Sequence, residues 1–161
     1  MKKIILITFM LITCNLFAGQ VDDNDQIVFY LDMEVNEGKS DNLTTFVNYL
    51  VKTVKETEPE TSGYQYFISP DQQKVSLVEI YESADAALFH VESFLSSSHN
   101  DEFLNTFTIT NFQVLGNSTE QLKIAMQDFE TLWSHYNDSG IDLSDKKRKF
   151  KNIIRNSRRK F

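Results

Sequence analysis

The sequence predicts an α+β fold with the element order β-α-β-β-α-β. Three observations predict it. Apolar residues alternate over 27–35, and a continuous apolar stripe at helical spacing runs over 41–57. Two further alternating segments then flank the tight turn Pro70-Asp71-Gln72-Gln73.

Ile27, Phe29, Leu31, Met33 and Val35 face one way, and Tyr30, Asp32 and Glu34 the other, which defines a half-buried strand. Asn36-Glu37-Gly38-Lys39 is a turn. A helix follows from about Asp41 to Thr57, with Leu43, Phe46, Val47, Leu50, Val51 and Val54 along one stripe. Ser40 or Asp41 is placed to cap it. Glu58-Pro59 ends it, because the residue before proline is pushed out of the α region. Gly63 opens the second strand, Tyr64 to Ser69, and Lys74 to Glu82 forms the third, an antiparallel hairpin. Ser83 caps a second helix with Asp85 in its first turn. Its expected stripe is Ala84, Ala87, Leu88, Val91 and Leu95. Ser96 to Asn100 reads as a polar break, Asp101 to Leu104 as a short helical turn, and Phe107 to Leu115 as the fourth strand, closed by Gly116. Ser118-x-x-Gln121 resembles a capping box. It starts an expected third helix with Leu122, Ala125, Met126, Phe129, Trp133 and Tyr136 on one face, and Gly140 ends it.

This order is the ferredoxin-like split βαβ arrangement, a four-stranded antiparallel sheet with both helices on one side. The other sheet face is then left bare. A homodimer that closes two sheets into an α/β barrel is the simple physical solution.

Length and composition agree with one domain plus tails: 161 residues, 41% apolar and 24% charged. Residues 1–18 read as an export signal: Lys2-Lys3, the apolar run Ile4 to Phe17, then Ala18 before the expected cut. The competing reading lipidates Cys14. With cleavage after Ala18 the remaining chain has no cysteine, so disulfides and thiolate chemistry drop out, and the expected address is periplasmic or secreted. Charge is uneven. Residues 144–161 carry nine Lys/Arg and one acid, whereas residues 19–143 hold 22 acids and 5 bases. The acidic body repels nucleic acid, which is not expected as a partner. The basic tail is open to three readings: a solvated end, docking on the acidic body, or contact with an anionic surface.

At residue level the chain resembles the antibiotic biosynthesis monooxygenase family of dimeric α/β barrels, and within it the stand-alone quinol monooxygenase-like subgroup. The residues that carry the resemblance are Glu58-Pro59 with Gly63-Tyr64, Ser69-Pro70-Asp71, Glu79-x-Tyr81, Ala86-Ala87-x-x-His90 and Leu115-Gly116-Asn117-Ser118. It spans roughly Ile27 to Tyr136, and the domain is taken as 26–136. Glu60 stands where relatives commonly carry glycine, and Tyr81 where they often carry tryptophan. The resemblance implies oxidation of a small aromatic or quinol-like substrate by dioxygen with no cofactor. Such chemistry needs a tuned base, a dry pocket and hydrogen-bond donors for the oxyanion. The family's haem-binding relatives imply the alternative, a non-enzymatic module that binds haem or another aromatic.

His90, beside Ala87, Val91 and Phe94, is the candidate base; its plain alternative is a hydrogen-bonded structural histidine. Glu79 shares a strand face with Val75, Leu77 and Tyr81. A carboxylate there is expensive unless it works or is paired. Tyr66 completes the expected catalytic set, and Tyr64, Tyr81 and Phe67 are the expected substrate-binding aromatics, although aromatics also simply fill strands. His99 and His135 read as solvated. No metal is expected, since the three histidines show no paired spacing.

Overall fold

In the computed structural model, which describes residues 25–135, the alternating segment forms β1 (Ile27–Val35). All five of its odd-numbered apolar residues are buried. The hairpin forms β2 (Thr61–Ile68) and β3 (Lys74–Tyr81). β4 (Phe107–Leu115) occupies the predicted residues. The strand order β2-β3-β1-β4, antiparallel throughout, is the ferredoxin-like one. The sheet of the single chain is open. Residues 1–18, read above as an export signal, and the basic stretch at 144–161 lie outside the described residues.

The stripe Leu43, Phe46, Val47, Leu50 and Val54 seats α1 (Leu43–Thr57) on the sheet. A single 3-10 turn over Ser40–Asn42 precedes it. The cap position therefore falls on Asn42, without a side-chain cap bond, rather than on Ser40 or Asp41. Ser83 does cap α2 (Ala84–Ser96): its hydroxyl accepts the Ala86 N–H at 3.1 Å. α2 is rotated from the expected stripe. Ala86, Ala87, His90 and Val91 are buried, whereas Leu95 is exposed. The rotation carries His90 into the interior. The polar break is shorter than expected, because α3 (His99–Thr106) already begins at His99 and packs Phe103 into the core.

The C-terminal reading needs correction. The third long helix is only α4 (Glu120–Ala125), and its cap is Thr119, which accepts the Leu122 N–H at 3.3 Å. Ser118 Oγ is buried and finds no partner among the described residues. The chain then turns and adds β5 (Leu132–Ser134), parallel to β4, so the sheet has five strands. Gly116 makes this possible. Its φ of +120° lies in the left-handed region, a Cβ there would collide with the Gln26 carbonyl, and its N–H donates to the Ser134 carbonyl at 2.9 Å. The apolar pattern was right about burial: Leu122 and Met126 are in the core and Phe129 and Trp133 pack on it. Pairing with the free edge of β4 overrode the helical period.

Candidate functional site

Glu58 stands at the C-terminal cap of α1, immediately before Pro59. A carboxylate there sits at the negative end of the helix dipole, which is unfavourable without a cation. The cation comes from α2. His90 Nδ1 lies 2.9 Å from Glu58 Oε2 and 3.1 Å from Oε1. A carboxylate offers only lone pairs, so Nδ1 must carry the hydrogen. Thr61 Oγ1 donates to Glu58 Oε2 at 2.9 Å and orients it from β2.

On the other side of the ring, Nε2 lies 3.8 Å from Glu79 Oε1. That is beyond hydrogen-bond length but close enough for strong charge coupling. The Tyr81 hydroxyl donates to Glu79 Oε2 at 2.6 Å. Glu58, His90 and Glu79 are only 7%, 8% and 4% exposed. Alternation on β3 explains Glu79 and Tyr81, whose parity directs both to the helix-covered face with Val75 and Leu77.

The result is a buried chain, Glu58–His90–Glu79–Tyr81. It is flanked by Tyr64, whose ring lies 5.7 Å from the imidazole, and by Phe94, stacked on it at 6.5 Å. The Tyr64 and Tyr66 hydroxyls are 3.2 Å apart. Burial pushes all three tyrosine hydroxyls well up, so they are neutral donors near pH 7. Burial also pushes Glu79 up, and the nearby Glu58 adds to the rise; the His90 charge and the Tyr81 bond oppose it without reversing it. Burial alone would lower the His90 pKa. The Glu79 charge, with the Glu58 hydrogen bond and charge, outweighs that, and the net shift is upward.

Both groups therefore hold a proton to higher pH when folded than when unfolded. Stability from this cluster is full below their ordinary values of 4.5 and 6.5 and is lost as pH rises through the folded values. Thermal melts across pH should show Tm falling on the alkaline side of about 6.5. His90→Gln should flatten that part of the curve; an unchanged slope would remove His90 as its source.

The cluster touches two spaces. Inside, Glu79, His90, Tyr64 and Phe94 border a cavity of about 40 Å³, otherwise walled by apolar side chains including Phe29, Phe103, Met126 and Phe129. Outside, a groove of about 400 Å³ runs between α1 and α2, with Glu58, Tyr64, His90 and Phe94 along it. His99, expected to be solvated, also lines this groove. Its Nε2 is 2.8 Å from the Tyr49 hydroxyl.

Of the residues expected at the site, His90, Glu79, Tyr64 and Tyr81 come together. Tyr66 reaches the group only through Tyr64 and does not line the cavity. Phe67 lies elsewhere. With Gln65 it points to the outer sheet face and is 57% exposed, because β2 alternates and Tyr64 and Tyr66 take the inner positions. The residue that sequence reasoning missed is Glu58, read only as a helix end. Its position was the available signal, since an acid at a helix C-terminus invites a search for its cation. Among the described residues, no group of three or more His, Cys, Asp or Glu side chains is arranged to hold a metal ion.

No family model and no curated protein matches the chain. Solved structures do. MupZ from Pseudomonas fluorescens is 15% identical with a TM-score of 0.65, over 75% of this chain and 98% of that one. Protein SO0527 from Shewanella oneidensis is 20% identical with a TM-score of 0.42, over 57% and 88%. A Bacteroides thetaiotaomicron protein provisionally named an antibiotic biosynthesis monooxygenase is 11% identical with a TM-score of 0.45, over 60% and 90%. The likeness to MupZ is one of fold.

Proposed function

We propose that this protein is a monooxygenase of the antibiotic-biosynthesis type that oxidises a small phenolic or quinol-like aromatic with dioxygen, the substrate itself supplying the electrons. One observation carries the reading: a buried imidazole held at Nδ1 by Glu58, with Nε2 turned toward Glu79 at the wall of an apolar cavity. The fold and the residue-level resemblance support it.

In this reading His90, in its neutral form, takes the substrate's hydroxyl proton on Nε2. Glu58 stabilises the imidazolium that forms, and Glu79 shares the charge. The phenolate carbon para to the oxygen forms a C–O bond to dioxygen. The hydroperoxide so formed loses water as its O–O bond breaks, and that carbon becomes a carbonyl. Phenol plus dioxygen thus gives quinone plus water, with all four electrons drawn from the ring. The neutral tyrosine hydroxyls donate to developing negative charge. The test is incubation of a phenol and quinol panel with and without air: oxygen-dependent quinone formation is expected, and its absence across the panel would refute the activity.

Haem is disfavoured as an alternative ligand, because Nδ1 is engaged by Glu58 and Nε2 faces Glu79. A Soret band that appears with haemin and is lost in His90→Ala would reverse that judgement.

The proposed assembly is a homodimer through the outer sheet face, where Val28 of β1 pairs with Ile80 of β3, Val78 lies two residues before Ile80 on the same face, and Phe67, Leu115 and Leu132 are exposed. Light scattering at micromolar concentration should give twice the protomer mass. The setting that residues 1–18 suggest is outside the cytoplasm.

A further inference from the structure

The sheet register fixes the end of the molecule at which β5 stops. Ser134 pairs with Leu115, Leu115 with Val28, Val28 with Ile80, and Ile80 with Gly63. One row of residues therefore crosses all five strands, and β5 ends where β2 begins. Four strand spacings along that row amount to about 19 Å. From His135, nine peptide steps lead to Ser144, where the basic stretch 144–161 starts. Nine steps reach at most about 30 Å. The start of β2 is within that span, with enough left for the rise to the helix layer.

At this end lies a pocket of about 290 Å³ between the start of β2 and the first turns of α2, with Pro59, Glu60, Asp85 and Phe89 among its walls. Phe89 is 52% exposed, an unusual position for a large apolar ring. Asp85, Phe89 and Glu92 recur at i, i+4 and i+7, so they share the solvent face of α2. Glu60, Asp85 and Glu92 are exposed, and the ion pairs among the described residues include none of them. Asp25, just before β1, and Glu82, just after β3, add to the negative field at the same end. The surface is thus an apolar ring beside a pocket, set among acids without cations. Its complement is an apolar residue flanked by Lys and Arg. Residues 144–161 have that composition: nine Lys/Arg against one acid, with Phe150, Ile153 and Ile154 three and one positions apart among the bases.

We infer that the stretch 144–161 docks on its own chain at this pocket, with its apolar residues against Phe89 and its Lys and Arg side chains beside Glu60, Asp85 and Glu92. Charge complementarity and reach both favour this occupant. The short connection along the chain also presents the stretch to the pocket at an effective concentration on the order of millimolar, so individually weak contacts suffice. A cation can in addition lie over the face of the Phe89 ring. The inference does not rest on the oxygenase reading.

The test is limited digestion of the full chain with trypsin, which cuts after Lys and Arg, with cleavage within 146–160 followed by mass spectrometry. Cutting of a docked stretch tracks the fraction that is undocked. Phe89→Ser, and independently Glu60→Gln with Glu92→Gln, create no new trypsin site. Each should speed cleavage at least about fivefold in dilute buffer. Concentrated salt should bring the natural sequence up toward the rate of the charge variant. Glu34→Gln with Glu37→Gln removes the same number of acids at the opposite end of the sheet and should leave the rate unchanged. Circular dichroism checks folding, and the two variants alter different elements and different chemistry, so either can stand alone. Equal cleavage in the natural sequence and both variants would overturn the inference. So would acceleration by the Glu34 and Glu37 changes to the same degree, which would reduce the effect to net charge. Protection that disappears on dilution would place the stretch on another molecule. Pelleting with phosphatidylserine vesicles that is as strong for the natural sequence as for Phe89→Ser would assign it to an anionic surface instead.

Discussion

Replacing His90 by glutamine is expected to cut oxygen-dependent turnover about 100- to 10,000-fold, the usual worth of a positioned general base. Glutamine can still donate toward Glu58 from its amide and fills comparable space, but it has no nitrogen that accepts a proton near neutral pH. Alanine is a poorer probe, since it would leave Glu58 and Glu79 as two buried carboxylates with no cation between them. The informative readout is the pH profile of kcat/KM. In the natural sequence it should rise as pH passes the elevated His90 pKa, because only the neutral ring is a base. In His90→Gln that limb should disappear while circular dichroism stays unchanged. A variant that keeps both the rate and the limb would assign the proton transfer to another group.

The second large effect is on stability. Glu58→Ala should lower the unfolding free energy by about 3 kcal/mol, the order expected when one member of a buried ion pair is removed. The loss is moderated by relief of an acid at the end of the α1 dipole, worth about 0.3–1 kcal/mol. The same change should bring the His90 pKa down, since burial lowers it and one of the two charges that raise it is gone. Glu58→Gln, which keeps an acceptor for the Nδ1 hydrogen, should cost less. Denaturant melts and an imidazole proton NMR titration measure the two effects. Unaltered values in both would mean that Glu58 does not hold the ring.

Much of this arrangement could be read in advance, and the reasons are specific. β1 was legible to the residue because alternation with a period of two has no competing explanation over nine residues, and β4 was bounded as closely although a bulge opposite Asp32 and Met33 breaks its alternation. Glu79 stood out because a charge on an apolar face must be paired. His90 came by resemblance rather than periodicity, and the expected stripe on α2 would have left it at the flank. Its burial depends on how α2 meets Glu58 and Tyr64, a tertiary contact between residues 32 apart in the chain. The segment from Leu122 to Trp133 misled for a related reason. Its apolar spacing suits a helix, yet the unpaired edge of β4 is a stronger attraction for its last residues. The misreading had a local cost, because Met126 and Phe129 from that segment wall the inner cavity.

Asp32 sits in the middle of the outer sheet face, where its own chain already supplies it with donors. Its carboxylate accepts from the Tyr30 and Ser76 hydroxyls at 2.8 and 2.7 Å and from Asn111 Nδ2 at 3.4 Å. The first of these influences, the Ser76 bond, helps hold its pKa below the ordinary carboxylate range, so it stays an anion. A surface laid over this face need not bring a lysine or arginine to meet that anion. Contact made there would owe little to ion pairing at Asp32, and salt would act on it mainly by screening the repulsion between the acidic bodies.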